Sequence, residues 1–371
     1  MPIYASIEKA WNRVLQNVRA GRGQLCYPVG TILYDNFNSE TGTAFEVVGH
    51  NHHFDPSLTE RGFTNSMTLC QLKLDYYQFS AQDAFLYLET PMPAGRYRIT
   101  LPPNYDTSYG GGLTYYFDTT KTIPVGGQIT LLWNSNTLPS SISTYESQSS
   151  TTALDSAKPL TVWDSSIEAT DLGIIKYGTY MNESPFGKLN QIRRVRYGSN
   201  NYAQSGIRQI LNTSALANTW YEPQTIFNRP YGNRSSNGYL SLLNQHFIDV
   251  LAKPSIINIT NNDFEYESIN GTQYQLNTKY NIDTDKIFLL SHTEVGLSAS
   301  PTLGNTLQYY SGATNSKRIK YRKSNNQATT WWLRPPYPSY AYGVRGVYSS
   351  GALSYSNAYG SQGSAAACVI Q

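Results

Sequence analysis

The sequence predicts an α+β protein in which an N-terminal helix and a β-sandwich domain precede a second, α+β domain. Three observations carry that prediction. An apolar stripe at helical spacing opens the chain, short β-forming runs between turn residues follow it, and beyond about residue 159 helical and strand patterns alternate. The 371 residues suffice for two or three domains, each with a substantial core.

The elements follow in chain order. Ile7, Ala10, Trp11, Val14, Leu15 and Val18 fall on one face of a helix of about four turns, which Gly21 and Gly23 end. Residues 1–24 are therefore read as an amphipathic helix. Its stripe suits packing on its own domain and equally suits anchoring or oligomerisation, the role assigned to this segment. Residues 25–135 read as the β-sandwich, with strands at Ala44–Val48, Thr68–Leu74, Ala84–Leu88, Arg96–Leu101, Leu113–Phe117 and Gln128–Trp133. Turns at Pro93-Ala-Gly95, Gly110-Gly-Gly112 and Pro124-Val-Gly-Gly127 separate several of them. Residues 136–158, dominated by Ser and Thr without apolar periodicity, read as a linker or long surface loop. From 159 to 371 the spacing predicts helices over Tyr202–Leu211, capped by Asn200 or Asn201, and Gly238–Leu251. Strands are predicted at Ser255–Ile259, Lys286–Leu290, Arg318–Arg322, Thr330–Arg334, Gly343–Val347 and Ala366–Ile370.

Composition narrows the function classes. Charged residues make up 14% of the chain, against the ~25% usual for soluble proteins, and aromatics 13%, mostly the 31 tyrosines. Tyrosine presents an apolar ring and a polar tip on two χ angles, so it suits strands and contact surfaces alike. A net charge of +3 is too weak a field to expect nucleic-acid binding, even with the basic run Lys317, Arg318, Lys320, Arg322 and Lys323. That run alternates with Ile319 and Tyr321, as an edge strand with one polar face would. Cys26, Cys70 and Cys368 form an odd, widely spaced set, read as buried free thiols. The N-terminus lacks the apolar stretch of a secretory signal and no run approaches a membrane span, so no membrane insertion is expected. A displayed protein without such a signal would leave the cell by another route, such as assembly into a particle in the cytoplasm.

The familiar catalytic arrangements are missing. There is no GxSxG elbow, HExxH helix, P-loop, strand-linked GxGxxG or CxxC pair. From Trp331 to Gln371 there is no Asp, Glu, Lys or His, so that segment cannot itself supply general acid–base chemistry. No enzymatic activity and no cofactor are expected. In His50-Asn51-His52-His53, alternation would place His50 and His52 on one side of a strand as a two-point metal grip. Without a carboxylate nearby the polar-loop alternative prevails, and no metal is expected at His50, His52 or His53.

The final segment interleaves two populations. Trp331, Trp332, Leu333, Arg334, Val344, Arg345, Val347, Leu353, Cys368 and Ile370, with Gly351 and Gly363 at turns, are what a buried frame needs. The others are nearly all tyrosine and serine: Tyr337, Ser339, Tyr340, Tyr342, Tyr348, Ser349, Ser354, Tyr355, Ser356, Tyr359 and Ser361. Antibody paratopes use that vocabulary, in which rigid rings supply area and small residues supply clearance and hydrogen bonds. A turn-rich edge sheet would use it too, and composition alone leaves both open.

The order Trp331-Trp-Leu-Arg334, Val344-Arg345, Gly351-x-Leu353, Asn357-Ala358, Gly363 and Ala367-Cys-Val-Ile370 resembles the C-terminal signature of C-type-lectin-like variable proteins of phages and prophages. Arg194-Val-Arg-Tyr-Gly-Ser-Asn-Asn-Tyr-Ala-Gln-Ser-Gly-Ile-Arg-Gln-Ile-Leu-Asn212, Trp220-x-x-Pro223, Phe227-x-Arg-Pro230, Phe288-Leu-Leu-Ser-x-x-Glu294 and Arg318-Ile-Lys-Tyr-Arg322 extend the resemblance over 158–371, and it continues more loosely upstream. The chain departs from the usual form at Pro335, where serine is common, and at Ser364-Ala-Ala. The resemblance implies a C-type-lectin fold over 159–371, related to formylglycine-generating enzymes and to major-tropism-determinant-type receptor-binding proteins. It implies ligand binding without a metal, on a face that diversity-generating retroelements rewrite in some relatives. The function expected is a phage receptor-binding or host-attachment protein on the virion surface, assembled in the host cytoplasm as a homo-oligomer, with a trimer preferred. Its expected partners are a host cell-surface protein or glycan and other virion proteins. A structural virion role, as head decoration or head fibre, and a bacterial or prophage adhesin are the alternatives.

Overall fold

A computed structural model describes residues 6–79, 84–88, 90–100, 114–132, 141–145, 154–157, 166–174, 180–181, 189–192, 202, 205–217, 236–261, 266–269, 272–275, 278–297, 303–337 and 343–371. Within them the chain is mixed α and β, mostly sheet with few and short helices after the first.

The first helix spans Ile7–Arg19, with the Ser6 side chain accepting from Lys9 N–H at its start, Glu8 in its first turn and Arg19 in its last. Ala10, Trp11, Val14 and Val18 are buried against the protein's own core. The Trp11 indole N–H donates to Asp35 O at 2.6 Å, and its ring lies 4.6 Å from that of Phe247. Arg19 Nε donates to Gln371 O at 3.1 Å. Most of the stripe thus packs on the chain's own core, the first of the two uses that its spacing suits.

Two sheets frame that core. The first runs in the order Ile32–Tyr34, Ala44–His50, Met67–Gln71, Ala367–Ile370 and Ile287–Phe288, antiparallel throughout. Met67–Gln71 and Ala367–Ile370 are buried at every position, as central strands covered on both faces are. The second runs in the order Tyr321–Arg322, Lys73–Gln78, Ser361–Ser364, Trp331–Pro336, Gly343–Val347 and Leu353–Asn357. The strand expected over Thr68–Leu74 is two strands, and the single residue Leu72 carries the chain from one sheet to the other.

Helix Gly206–Leu211 starts at Ser205, not at Asn200 or Asn201; the Ser205 hydroxyl accepts from Arg208 N–H. The helix expected over Gly238–Leu251 is broken into a 3₁₀ turn, Tyr239–Leu242, and a short helix, Gln245–Asp249. Asn244 caps the second piece with its side chain accepting from His246 N–H, and its own backbone N–H is held by Asp35 Oδ2 at 2.7 Å. The strand expected at Arg318–Arg322 is a 3₁₀ turn, Asn315–Arg318, followed by a two-residue edge strand. Arg318 and Lys320 are buried because they serve backbone carbonyls: Arg318 Nε donates to Val295 O at 2.6 Å, and Lys320 Nζ to Gln71 O at 2.6 Å.

The expected domain limits do not match the core. That core takes in residues from Trp11 to Phe79 and from Tyr202 to Ile370. Among the described residues, strands between Ala84 and Ile192 pair only with one another, in a six-stranded and a three-stranded sheet. Their buried side chains, among them Leu88, Tyr97, Tyr115, Ile129 and Leu172, lie outside the main core cluster. The first half of the 25–135 sandwich therefore belongs to the C-terminal fold, and the second half to an inserted β unit. The segment 136–158, expected as a linker, contributes strands Ser141–Tyr145 and Asp155–Ala157 to that unit, burying Ile142, Ser143 and Thr144. Threonine and serine serve a half-buried pleated surface without apolar periodicity, which is why the segment reads as loop.

Candidate binding surface

The frame of the C-terminal segment begins with its two tryptophans. Trp331 and Trp332 are fully buried, and each indole N–H has a carbonyl partner: Arg318 O at 3.1 Å and Tyr77 O at 2.9 Å. Leu333, Val344, Val347 and Cys368 are also buried, while Leu353 is half-buried. Gly351 has φ +85°, and a Cβ there would stand 1.8 Å from Asn315 O, so the turn between the last two strands of the sheet requires glycine. A Cβ on Gly363 would meet Leu74 Cδ1 at 2.5 Å.

Arg334 anchors this frame to the rest of the core. Its Nη1 donates to Glu294 Oε2 and its Nη2 to Oε1, both at 2.6 Å, with side-chain exposures of 1% and 2%. Nη1 also reaches Leu289 O at 2.9 Å, and Nε reaches Ile257 O at 3.1 Å. Glu294 further accepts from Ser291 N–H at 2.8 Å and lies 3.0 Å from His53 Nε2. The Arg334 guanidinium, then His53, hold the Glu294 carboxyl well below the ordinary carboxylate range, against the opposing effect of its burial. His50 and His52 do not converge on one site. His50 Nε2 lies 3.0 Å from Tyr27 O, whereas His52, His53 and Glu294 bring ligand atoms within 4.8 Å of one another. Both oxygens of that carboxylate already face a guanidinium, so a divalent ion would sit against a fixed cation. The chemistry of the cluster is that of an internal ion pair.

The tyrosines divide by strand position. Tyr337 extends the Trp331–Pro336 strand, its N–H donating to Gly343 O at 2.7 Å. Its ring stacks on that of Tyr355 with centroids 4.0 Å apart and planes 8° apart. Arg345, which pairs with Tyr355 across the two outermost strands, sets its guanidinium 4.7 Å from the Tyr337 ring centre. Tyr355 is 42% and Tyr348 51% exposed; Ser349 and Ser361 are exposed, and Ser356 and Tyr359 half-buried. Ser354 is buried, its hydroxyl donating to Tyr355 O at 3.2 Å, and does not join the outer face. Ser339, Tyr340 and Tyr342 lie outside the described residues. Arg345 sits in the face itself, beyond the framing part expected of it. At the far edge of the same sheet Arg322 covers the exposed ring of Tyr76 at 3.6 Å.

Residues 175–371 match the family described as a domain of unknown function, DUF6273. The chain belongs to that family. No curated protein and no solved structure matches it. The DUF6273 region holds Glu294, Arg334 and the whole Tyr337–Arg345–Tyr355 stack, while His53 and the strands Met67–Gln71 and Lys73–Gln78 lie upstream of it. Sequence patterns marked both Glu294 and Arg334 within separate motifs; their pairing, across 40 residues, had no local signal.

Proposed function

We propose that the chain is a phage virion receptor-binding or host-attachment protein that presents its C-terminal tyrosines and serines on a C-type-lectin-type frame, without catalysing a reaction. The observation that carries this reading is the division of labour within one sheet. Trp331, Trp332 and Arg334 are sealed in the core, and a few residues away Tyr337, Tyr348, Tyr355 and Ser361 stand at or near solvent on strands and turns those residues fix. Stacked, partly exposed rings on an edge strand offer a partner rigid aromatic area. Trp331, Trp332, Arg334 and Gly351 are fixed by their surroundings, whereas the side chains of Tyr348, Ser349 and Tyr355 are exposed, as a diversified surface requires. The partner is a host cell-surface protein or glycan, and the protein acts as a homo-oligomer.

The test is replacement of Tyr348 and Tyr355 together by alanine. Attachment of the purified protein to host cells should fall by about a hundredfold, as loss of two aromatic anchors implies, while the melting temperature stays unchanged. Attachment that survives the double change, or a loss of folding that accompanies it, would refute the assignment.

A further inference from the structure

The stack carries a charge that the rest of the fold leaves unanswered. Downstream of Glu294 the chain has no Asp or Glu as far as Gln371, yet arginine and lysine continue through it. Most of the buried ones are spoken for: Arg334 by Glu294, Arg318 and Lys320 by backbone carbonyls. Arg345 differs. It is half-buried and lies against the Tyr337 ring, and among the described residues no carboxylate or hydrogen-bond acceptor meets its guanidinium. None of its nitrogens is sealed from solvent, so its donors point where a ligand can reach them.

We propose that this Tyr337–Arg345–Tyr355 stack binds a carboxylate-bearing sugar, as in a uronate polymer of a cell envelope. The proposal rests on the attachment reading of this same face and names its ligand class. A guanidinium offers paired N–H groups that match a planar carboxylate. Tyrosine faces take the C–H face of a pyranose ring, and Tyr355 leaves 42% of its surface open for one. The cation stands 4.7 Å from the Tyr337 ring centre, and the Tyr337 and Tyr355 rings are 4.0 Å apart. Arg345 and Tyr355 are also direct cross-strand partners, so cation and stacking surface adjoin, as a sugar whose carboxylate is attached directly to its ring requires. A polyglycerophosphate backbone offers an anion without a ring beside it.

The full chain is run against immobilised polygalacturonate and hyaluronate, with neutral dextran and polyglycerophosphate as comparisons. Wild-type protein is retained on the uronate polymers and passes the other two. Arg345→Gln and Tyr355→Ala each weaken retention about tenfold or more, the worth of a charge-assisted hydrogen bond or an aromatic contact. Arg22→Gln, an exposed cation in the turn after the first helix, leaves retention unchanged. Absence of wild-type retention on both uronates, equal retention on dextran, retention on polyglycerophosphate alone, or equal sensitivity to Arg22→Gln overturns the proposal. A cell-attachment assay on the same variants distinguishes loss of the sugar ligand from loss of the attachment face. If Tyr355→Ala abolishes attachment while Arg345→Gln alters neither attachment nor retention, the sugar assignment falls and the attachment face stands. If neither variant alters attachment, the face itself falls.

Discussion

Replacing Arg334 by methionine tests how the core holds the last strands in place. The change keeps a long side chain and removes the guanidinium, which stranded groups then register. Leu289 O and Ile257 O lose their donors, at about 1 kcal/mol each. Glu294, at 2% exposure, keeps only His53 and the Ser291 N–H as polar partners. An uncompensated carboxylate there costs several kcal/mol, but the group can escape by taking up a proton. With an ordinary value of 4.5, protonation at pH 7 costs about 3 kcal/mol, which caps the charge penalty. The sum is about 4–5 kcal/mol, within the range for breaking a buried pair by removing one partner.

The same reasoning fixes a pH dependence. In the wild type the Glu294 carboxyl is depressed, so its contribution is fully present above the ordinary value and is lost only as pH falls below it. In Arg334→Met the carboxyl is raised, so its stability is present below the ordinary value and is lost as pH rises. The penalty should therefore shrink by about 1.4 kcal/mol per unit as pH falls from 7 towards 5. Adding Glu294→Gln to Arg334→Met should recover about 3 kcal/mol at pH 7, since no charge is then left to neutralise. Urea unfolding at 25 °C, at pH 7 and pH 5, measures all three quantities. A penalty under about 1 kcal/mol, a penalty that does not change with pH, or a double variant no more stable than the single one would refute the reasoning.

Two further outcomes follow from other groups. Burial, with neighbouring positive charge, lowers both His52 and His292 from 6.5 to about 4. The unfolded chain binds their protons first, so stability should fall as pH drops from about 6.5 to about 4. Urea midpoints of a His52→Gln, His292→Gln double variant should be flatter over that interval, and equal slopes would contradict it. Cys70 and Cys368 are buried thiols pushed up by that burial, whereas Cys26 is exposed, correcting the expectation that all three are buried. A chromogenic disulfide reagent should titrate Cys26 rapidly in native buffer and the other two only after unfolding; fast reaction of a second thiol would show that the central strands open.

What the sequence made legible was local. The Ile7–Arg19 stripe, the Trp331–Pro336 and Gly343–Val347 strands and the Ala367–Ile370 strand all follow from spacing that neighbouring residues share. What it hid was pairing between distant segments. Nothing in Met67–Gln71 says that it lies beside Ala367–Ile370, and nothing in Arg345 says that its guanidinium faces a ring eight residues back. The break at Asn244 was missed because Leu240, Leu243, Phe247 and Leu251 keep helical spacing across it. Asp35, two hundred residues away, supplies the acceptor that fixes the cap. The tyrosine face was legible as a composition and only in part as positions: Ser354 shares the vocabulary of its neighbours, yet strand alternation turns it inward.

Core residues on either side of the β unit lie together in the fold. Phe79 donates its N–H to Ala358 O at 2.9 Å and accepts from Ile207 N–H at 3.0 Å, and its ring lies 6.2 Å from that of Tyr202. Phe79, the last described residue before the β unit, therefore sits beside Tyr202 and Ile207, among the first described residues after it. Such an insertion costs the core little, because its ends are already held together by core contacts. The folding unit is wider than the family match at 175–371. Without Met67–Gln71 and Lys73–Gln78, the strands Ala367–Ile370 and Ser361–Ser364 would each lose a paired neighbour in the middle of a sheet. Two rows of buried backbone groups would be left without partners, a cost the frame of the tyrosine face could not carry. The face is a property of both ends of the chain.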